Sequence, residues 1–296
     1  MKYFLAVDIG GTTFNSGLFN DSFEQIDITQ KDKIRYHNGK EEVVSAIIGQ
    51  IFNLLKKNNI QTKDVLGLGV ASPGPLDIDK GKILDTINLI IFQNYHLTED
   101  FSKRLNIDTY IQNDANLFAL GEWYHKYKNE NVSVGITIGT GFGLGLIING
   151  KIYQGAHGMG MEYSVSPFKW GICEENISIR YIRKRAKEEY GEEISPRFIE
   201  QYYYKKDPKA IKIYQEFGEN LGQALSHVIN MLDPAVISIG GGLSNAFDCF
   251  QDSMFKTIEK YSPTFIHHRI KIEPSNLKEK STMLGACVYV KNKKNI

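Results

Sequence analysis

The stretch VDIGGTTFNSGLF at residues 7–19 returns as ITIGTGFGLGLII at residues 136–148, about 130 residues further along the chain. Each copy is a short apolar run, a turn rich in glycine and threonine, and a second apolar run, which predicts a strand, a tight turn and a returning strand. Repeats of about 20–50 residues are typical of solenoids, whereas similarity at half-chain spacing indicates a duplicated domain. The sequence therefore predicts two related domains, each with a glycine turn between its first two strands.

Both strand and helix signals occur along the rest of the chain. Apolar side chains recur at helical spacing over residues 41–57, and Asp207 before Pro208 marks the start of a helix that reaches residue 232. The basic stretch at residues 178–200 is interpreted as a solvated helix and not as a nucleic-acid site, because Glu188 and Glu189 follow its arginines. Strands are predicted at residues 3–9, 14–19, 65–71, 109–112, 132–138, 144–148 and 236–239, and a further helix at residues 114–127.

Length, charge and cysteine content bound the class of protein. The 296 residues suggest two domains, and 35 basic against 34 acidic side chains give a net charge of +1, with no general attraction to nucleic acid or anionic membranes. Cys173, Cys249 and Cys287 form no CxxC pair, which argues against a disulfide framework or a thiolate zinc cluster. The apolar run at residues 3–7 is too short for a signal peptide, and no run approaches a membrane span of about 18 residues. We expect a cytoplasmic protein with no membrane partner.

The first glycine turn, DIGGT at residues 8–12, has the composition of a phosphate-binding loop. Its glycines let backbone N–H groups approach an anion closely, and Thr12 and Thr13 add hydroxyl donors. A carboxylate repels phosphate, so Asp8 would act by holding Mg²⁺, directly or through water. A single turn of this kind is also compatible with a plain hairpin, but the second turn at residues 139–141 favours a polyphosphate held by both.

The segment QNDAN at residues 112–116 lies where a strand ends and a helix begins. Asp114 at that junction is compatible with two roles. It could cap the helix, or it could be a general base that takes a proton from a substrate hydroxyl, with Asn113 orienting the same substrate. The local sequence leaves both roles open.

Two carboxylates, Glu162 and Glu175, lie in the glycine-rich stretch 155–175. They could accept hydrogen bonds from neighbouring sugar hydroxyls, or they could be ordinary surface residues. His157 and Cys173 supply only two candidate zinc ligands, and a structural zinc site needs four.

Taken in order, these motifs resemble the ROK family of sugar kinases and repressors, a branch of the actin-like ATPase superfamily. The resemblance extends over nearly the whole chain. It rests on eight segments: DIGGT at 8–12, ASPGPLD at 71–77, INL at 87–89, NDAN at 113–116, TIGTGFGLG at 137–145, GAHGMGME at 155–162, CEE at 173–175 and IGGGL at 239–243.

The resemblance implies a fold, a cofactor set and a role for each matching position. The fold is α/β, with duplicated actin-like (ribonuclease H-like) ATPase domains and a central interdomain cleft, and the cofactors are ATP and Mg²⁺. Asp114 matches the catalytic base. Sugar-binding positions are matched by Gly74, Asn88, Asn113, Glu162 and Glu175. The first phosphate loop is matched by Asp8, Gly10, Gly11, Thr12 and Thr13, the second by Thr140 and Gly141, and the adenosine site by Gly240, Gly241 and Gly242.

The sequence departs from the family pattern around the sugar site. Family members carry GExGH, whose histidine contacts the sugar and binds zinc, and Val165 stands at that position here. Of the usual CxCGxxGC zinc cluster only Cys173 is left, so we expect no zinc site. Repressor members place a winged helix-turn-helix before the phosphate loop, and the start of that loop at residue 8 favours the kinase.

The sequence therefore predicts an ATP-dependent kinase for the C6 hydroxyl of a hexose, most simply glucose or a similar aldohexose. The alternatives are a kinase for N-acetylmannosamine, N-acetylglucosamine or a β-glucoside, and a non-catalytic sugar-sensing protein of the same fold. We expect domains at residues 1–115 and 116–296, with the last segment packing on the first domain, and a homodimer, as the resemblance implies.

Overall fold

The computed structural model of the protein describes residues 1–87, 89–268, 270–278 and 280–296. Its strands are β1 (Tyr3–Ile9), β2 (Thr13–Asn20), β3 (Gln25–Ile28), β4 (Asp32–Lys33), β5 (Val65–Ser72), β6 (Leu76–Asp77), β7 (Lys82–Ile83), β8 (Thr109–Asn113), β9 (Val132–Ile138), β10 (Phe142–Ile148), β11 (Lys151–Ile152), β12 (Pro167–Phe168), β13 (Gly171–Ile172), β14 (Val236–Gly240) and β15 (Lys271–Pro274). Its α-helices are α1 (Lys40–Lys57), α2 (Leu97–Leu105), α3 (Asp114–Glu122), α4 (Cys173–Asn176), α5 (Ile179–Tyr190), α6 (Pro196–Tyr204), α7 (Pro208–Leu232), α8 (Phe247–Tyr261), α9 (Pro263–His268) and α10 (Lys280–Lys294).

The predicted strands and the helices at 41–57 and 208–232 are confirmed, with boundaries that differ by two residues at most. The start of α7 is fixed as its sequence indicates. Asp207 Oδ1 accepts hydrogen bonds from the N–H groups of Lys209 at 2.8 Å and Ala210 at 3.2 Å. Those two donors would otherwise lack partners at the first helical turn.

One helix prediction is wrong in its extent. The basic stretch 178–200 is divided between α5 and α6, because Gly191 takes the left-handed conformation (φ +82°) that ends α5. The helix predicted at 114–127 is confirmed in its extent: it is α-helical as far as Glu122, and Trp123–Tyr127 continues it as a π-helical turn.

The chain divides into two compact units, of which unit 1 comprises Met1–Lys126, Gly150–Gly160 and Glu279–Ile296. Its main sheet has the strand order β3-β2-β1-β5-β8, with β4 paired to β2. Strands β1, β5 and β8 run parallel to one another, β2 pairs antiparallel with the other side of β1, and β3 pairs antiparallel with β2. Leu5 and Val7 of β1 share a fully buried cluster with Ile47 and Ile51 of α1. Each such side chain contributes about 1.5–3 kcal/mol by leaving water.

Helix α10 packs within unit 1 although it follows unit 2 in the sequence. It crosses α3 at close range, since a Cβ added at Gly285 would lie 1.8 Å from the Leu117 carbonyl oxygen. Ser281 Oγ donates to the buried carboxylate of Glu122, and Lys294 Nζ reaches the carbonyl oxygen of Leu66 at 3.0 Å. These contacts join α10 to α3 and to the start of β5.

Unit 2 comprises Tyr127–Asn149 and Met161–Lys278. Its strands follow the order β10-β9-β14-β15, in which β9 and β10 form the antiparallel hairpin and β14 and β15 run parallel to β9. Helices α7 and α8 pack tightly, because a Cβ added at Gly218 would lie 2.4 Å from the Phe250 carbonyl oxygen. Unit 2 thus repeats the hairpin and parallel strands of unit 1.

This division differs from the domain boundary after residue 115 that we expect from the sequence. Helix α3 lies in unit 1 because it packs on α10, and so does the short segment Gly150–Gly160. Over the described residues, no helix has the length and apolar character needed to span a membrane.

Candidate active site

The parallel strands of unit 1 bring the first glycine turn and the segment at residues 112–116 to the same sheet edge. Asp8 of β1 lies opposite Ala71 of β5, and Ser72 of β5 lies opposite Asn113 of β8. All three strands end within two residues of these pairs, so their carboxyl ends coincide. In α/β sheets, ligands bind at such an edge.

The first glycine turn joins β1 to β2 and leaves backbone donors at its tip. Gly10 N–H donates to the Thr13 carbonyl oxygen at 2.8 Å and so closes the turn. Across the described part of the chain, the N–H groups of Gly11 and Thr12 have no hydrogen-bond partner. Tyr36 Oη donates to the Gly11 carbonyl oxygen at 2.5 Å and braces the turn. Two adjacent unpaired N–H groups form a suitable anion site.

The second glycine turn joins β9 to β10 in unit 2 and has the same arrangement. Gly139 N–H donates to the Gly141 carbonyl oxygen at 2.9 Å, while the N–H groups of Thr140 and Gly141 have no partner among the described residues. The Thr140 side chain is exposed, as is that of Thr12 in the first turn. The sequence repeat is therefore also a repeat of donor geometry.

The third glycine run, at the end of β14, packs against the same end of unit 2. Gly241 has φ +80°, and a Cβ added there would lie 2.5 Å from the Ile138 carbonyl oxygen. Gly240 is opposite Thr137 of β9. Gly242 has more room, because an added Cβ would meet nothing closer than Ile179 Cδ1 at 3.8 Å. The predicted adenosine positions and the second turn thus lie at neighbouring strand ends.

The junction of β8 and α3 shows which residue caps the helix, the first of the two roles considered for Asp114. Asn113, not Asp114, caps the helix, with its Oδ1 accepting from the N–H groups of Ala115 at 3.0 Å and Asn116 at 3.3 Å. Strand β8 extends to residue 113, so Asp114 is the first helical residue. The Nδ2 donor of Asn113 has no hydrogen-bond partner in the described residues, and a Cβ at Gly74 would lie 3.6 Å from it.

The Asp114 carboxylate is partly buried, and within the described chain its hydrogen bonds are to backbone. Its Oδ1 accepts from Ala115 N–H at 2.8 Å. Removal from water raises the pKa of Asp114, and the backbone hydrogen bonds oppose that rise without cancelling it. A carboxylate with a raised pKa is a stronger base than an ordinary aspartate.

The predicted sugar-binding carboxylates lie in unit 2. Glu162 is exposed and directly precedes a short 3₁₀ turn at Tyr163–Val165. Glu175 Oε2 accepts from the Ile172 N–H at 3.1 Å, which ties this side chain to the start of α4. Val165 is 61% exposed, so it fills no part of the core. Asn88, the remaining predicted sugar contact, lies outside the described residues.

Two charged residues at the second turn were not predicted from the sequence. Glu174 Oε2 accepts from Phe142 N–H at 3.2 Å, and Glu174 Oε1 pairs with Arg180 Nη1 at 3.0 Å. The sequence signal for Glu174 is its position directly before Glu175, a predicted sugar-binding carboxylate.

Among the described residues, no group of three or more His, Cys, Asp and Glu side chains is arranged to hold a metal ion. Mg²⁺ in phosphoryl-transfer sites is commonly bound by one or two carboxylates together with substrate phosphates and water. A single partly buried carboxylate, Asp8, next to the unpaired N–H groups of the first turn fits that pattern.

Comparison with known proteins identifies the family of this chain. A family model described as the ROK family matches residues 4–293. The chain is 27% identical to the glucokinase of Thermotoga maritima, over 98% of this chain and 97% of that protein. It is 30% identical to the N-acetyl-D-glucosamine kinase of Mannheimia succiniciproducens, over 86% of this chain and 88% of that protein.

A solved structure has the same fold. The ROK family glucokinase from Streptomyces griseus, in complex with glucose and AMPPNP, superposes with a TM-score of 0.81 at 21% identity, over 98% of this chain and 99% of that one. The predicted fold class, α/β with duplicated actin-like domains, is confirmed.

Proposed function

Because this chain belongs to the ROK family and is a sugar kinase, we propose that it transfers the γ-phosphoryl group of ATP to the C6 hydroxyl of an aldohexose, with glucose the first candidate. The observation that carries this proposal is the junction of β8 and α3. Asn113 caps the helix there, so the Asp114 carboxylate is left with a raised pKa and backbone contacts.

Asp114 is the proposed general base. It would accept the proton of the sugar hydroxyl as that oxygen attacks the γ-phosphorus, and the bond from phosphorus to the bridging oxygen of ADP breaks. A well-placed base contributes about 10²- to 10⁴-fold in rate. Asn113 Nδ2 remains available as a donor to a sugar oxygen, which would orient the substrate beside the base.

The two glycine turns are the proposed phosphate-binding loops for ATP. Each presents two N–H groups that are unpaired in the described chain, at Gly11 and Thr12 in unit 1 and at Thr140 and Gly141 in unit 2. Asp8 would hold Mg²⁺, directly or through water, and the ion would neutralise phosphate charge. Phosphoryl transfer depends mainly on such positioning and charge neutralisation. That a glucokinase of this fold binds AMPPNP supports the assignment of ATP.

An N-acetylhexosamine kinase is the second candidate. The 30% identity to an N-acetyl-D-glucosamine kinase is at least as high as that to the glucokinase, at 27%. Val165 is exposed next to Glu162 and carries no hydrogen-bonding group in its side chain, so this position could accept an acetamido methyl group as well as a hydroxyl.

A coupled ADP-release assay with Mg²⁺-ATP tests both candidates. The acceptors would be glucose, mannose, fructose, allose, N-acetylglucosamine, N-acetylmannosamine and a β-glucoside. We expect turnover well above the sugar-free background, with the largest kcat/KM for glucose or a close aldohexose. A larger kcat/KM for an N-acetylated sugar would replace the first candidate by the second.

If the folded protein released no ADP above the sugar-free background with any of these sugars, the kinase proposal would be contradicted. A thermal shift on adding one of the same sugars would then support a sugar-sensing protein. We also propose a homodimer, which sedimentation velocity on the same sample tests directly.

A further inference from the structure

We propose that Arg180 binds a phosphate of the nucleotide, and that Glu174 is the residue that positions it beside the second glycine turn. This inference rests on the proposed function of that turn as a phosphate-binding loop. Arg180 would supply a charged side chain beside a loop that otherwise offers only backbone and hydroxyl donors.

The Glu174 carboxylate lies against the turn itself. A Cβ added at Gly141 would be 2.4 Å from Glu174 Oε2, and the same oxygen accepts from Phe142 N–H at 3.2 Å. Its position is fixed by α4, which places it in the first helical turn. A side chain larger than hydrogen at residue 141 would displace it.

An isolated carboxylate at this place would oppose phosphate binding, because two negative charges a few ångströms apart repel each other even near a protein surface. Arg180 removes that conflict, because its Nη1 is 3.0 Å from Glu174 Oε1. One carboxylate therefore accepts from the Phe142 N–H beside the turn through one oxygen and binds a guanidinium through the other.

The Arg180 guanidinium has donors left after this contact. Its side chain is 53% exposed, and Glu174 is its one ionic partner in the described residues. A guanidinium carries five N–H donors in a rigid fork that matches phosphate oxygens. Such charge-assisted hydrogen bonds are the stronger class.

The start of α5 is attached to the turn, which makes the position of Arg180 reproducible. Ile179 N–H donates to the Gly139 carbonyl oxygen at 2.9 Å, and Ser178 Oγ accepts from the Arg180 N–H at 3.2 Å. Residue 180 therefore follows directly on a backbone contact with the phosphate loop.

The other basic residues of α5 come later in the helix, and most of them have partners elsewhere. Arg185 pairs with Glu216 at 2.7 Å and with Glu189 at 3.0 Å. Lys184 Nζ lies 3.6 Å from the centroid of the Trp170 ring. Arg183 is exposed and has no ionic partner among the described residues, which makes it a matched control.

The test is calorimetric binding of Mg²⁺-AMPPNP and of ADP to the parent protein, Arg180→Gln, Arg180→Lys and Arg183→Gln. We expect Arg180→Gln to weaken AMPPNP binding by about tenfold to a hundredfold, as for a lost charge-assisted hydrogen bond. Arg180→Lys should recover part of the loss, since it keeps the charge but not the fork. Arg183→Gln should bind as the parent does.

The salt dependence of binding separates a phosphate contact from a structural role. Increasing ionic strength should weaken AMPPNP binding less in Arg180→Gln than in the parent, because one charge-to-charge contact is gone. Equal affinity and equal salt dependence in Arg180→Gln and the parent would overturn the inference and leave the kinase proposal standing. Failure of the parent itself to bind either nucleotide would instead contradict the proposed function.

Discussion

At the scale of single residues, the neighbours Asn113 and Asp114 have different roles: Asn113 caps helix α3, and Asp114 is the proposed general base. Asparagine and aspartate cap helices about equally well, and both are common at strand-to-helix junctions. The sequence alone therefore could not assign the cap. The structure assigns it to Asn113, because β8 runs one residue further than its apolar pattern indicates.

Replacing Asp114 by asparagine tests its proposed role. We expect Asp114→Asn to lower kcat at least a hundredfold, since the amide cannot accept a proton, while its oxygen still accepts from Ala115 N–H. Steady-state kinetics on the best sugar measures the loss. Asp79→Asn, an equal charge change at an exposed position, is the control and should keep the parent rate. A parent-like rate in Asp114→Asn would show that another group is the base.

The same variant should not lose stability. Burial raises the pKa of Asp114 above that of the unfolded chain, so the folded protein binds this proton more tightly. The stability that this group contributes is therefore complete below the unfolded pKa and is lost as the pH rises through the folded pKa. At pH 7 the uncharged amide of the variant avoids that cost. We expect urea denaturation at pH 7 to give Asp114→Asn a free energy of unfolding equal to or above that of the parent, and lower values would contradict this.

The raised pKa should also set the acid side of the pH–rate profile. A general base works only when deprotonated, so kcat/KM should fall as the pH drops through the pKa of Asp114 in the free enzyme. We expect that midpoint to lie above 3.8, the ordinary value for aspartate. Kinetics over the pH range in which circular dichroism shows folded protein measures it. A rate that stays constant down to the ordinary value would exclude this assignment.

The Glu174–Arg180 pair marks the limit of prediction at this scale. The contact between Glu174 and Phe142 joins residues 32 positions apart, and it forms only when α4 folds back onto the turn between β9 and β10. The periodicity of apolar residues in helices and strands cannot predict such a long-range contact.

At the scale of elements, neighbouring glycines in the same run differ in how well they would tolerate a side chain. Gly241 combines φ +80° with backbone contact to Ile138, whereas Gly242 has open space beside it. We expect Gly241→Ala to cost about 2 kcal/mol or more in the free energy of unfolding, from backbone strain and overpacking. Gly242→Ala should cost less than about 1 kcal/mol. Chemical denaturation of both variants compares them, and equal losses would contradict the assigned backbone strain.

Elements with explicit start and stop signals were predicted best. Helix α7 follows an aspartate cap and a proline, and both of its ends agree with the sequence. The stretch 178–200 is predicted as one basic helical stretch from its cluster of arginines and lysines. Gly191 ends α5 there through its left-handed conformation, and a glycine at this place is the local sequence signal for a helix end.

At the scale of the whole molecule, the duplicated organisation follows from the repeated turn, but the course of the chain through the two units does not. Helix α10 contributes Met283, Ala286, Cys287 and Val290, each at most 2% exposed, to unit 1. A sequence repeat identifies equivalent elements. The expectation that the last segment packs on the first domain comes from the family resemblance, and the repeat alone cannot supply it, because it depends on packing surfaces such as Gly121 and Gly285.

Truncation tests this organisation. We expect a chain ending at Lys278 to lose hydrogen-exchange protection in β1 and β5, since α10 covers Gly69 and Gly67 at close range. A chain ending at Lys294, which removes only the residues after α10, is the control and should retain protection. Parent-like protection of β1 and β5 in the shorter chain would contradict the role given to α10.

Because α10 emerges after unit 2 during synthesis, unit 1 is the first to begin and the last to be completed. The residues of unit 2 lie wholly between its parts and leave the ribosome before Lys280 does. Domains generally fold as units while the chain is being made. A nascent or prematurely terminated chain would therefore contain both glycine turns and Asp114, yet it would lack the helix that packs on β5 of the unit 1 sheet. In such a chain α3, which begins with the proposed general base, would lack its packing partner, so we expect phosphorylation only from chains whose synthesis has passed Lys294.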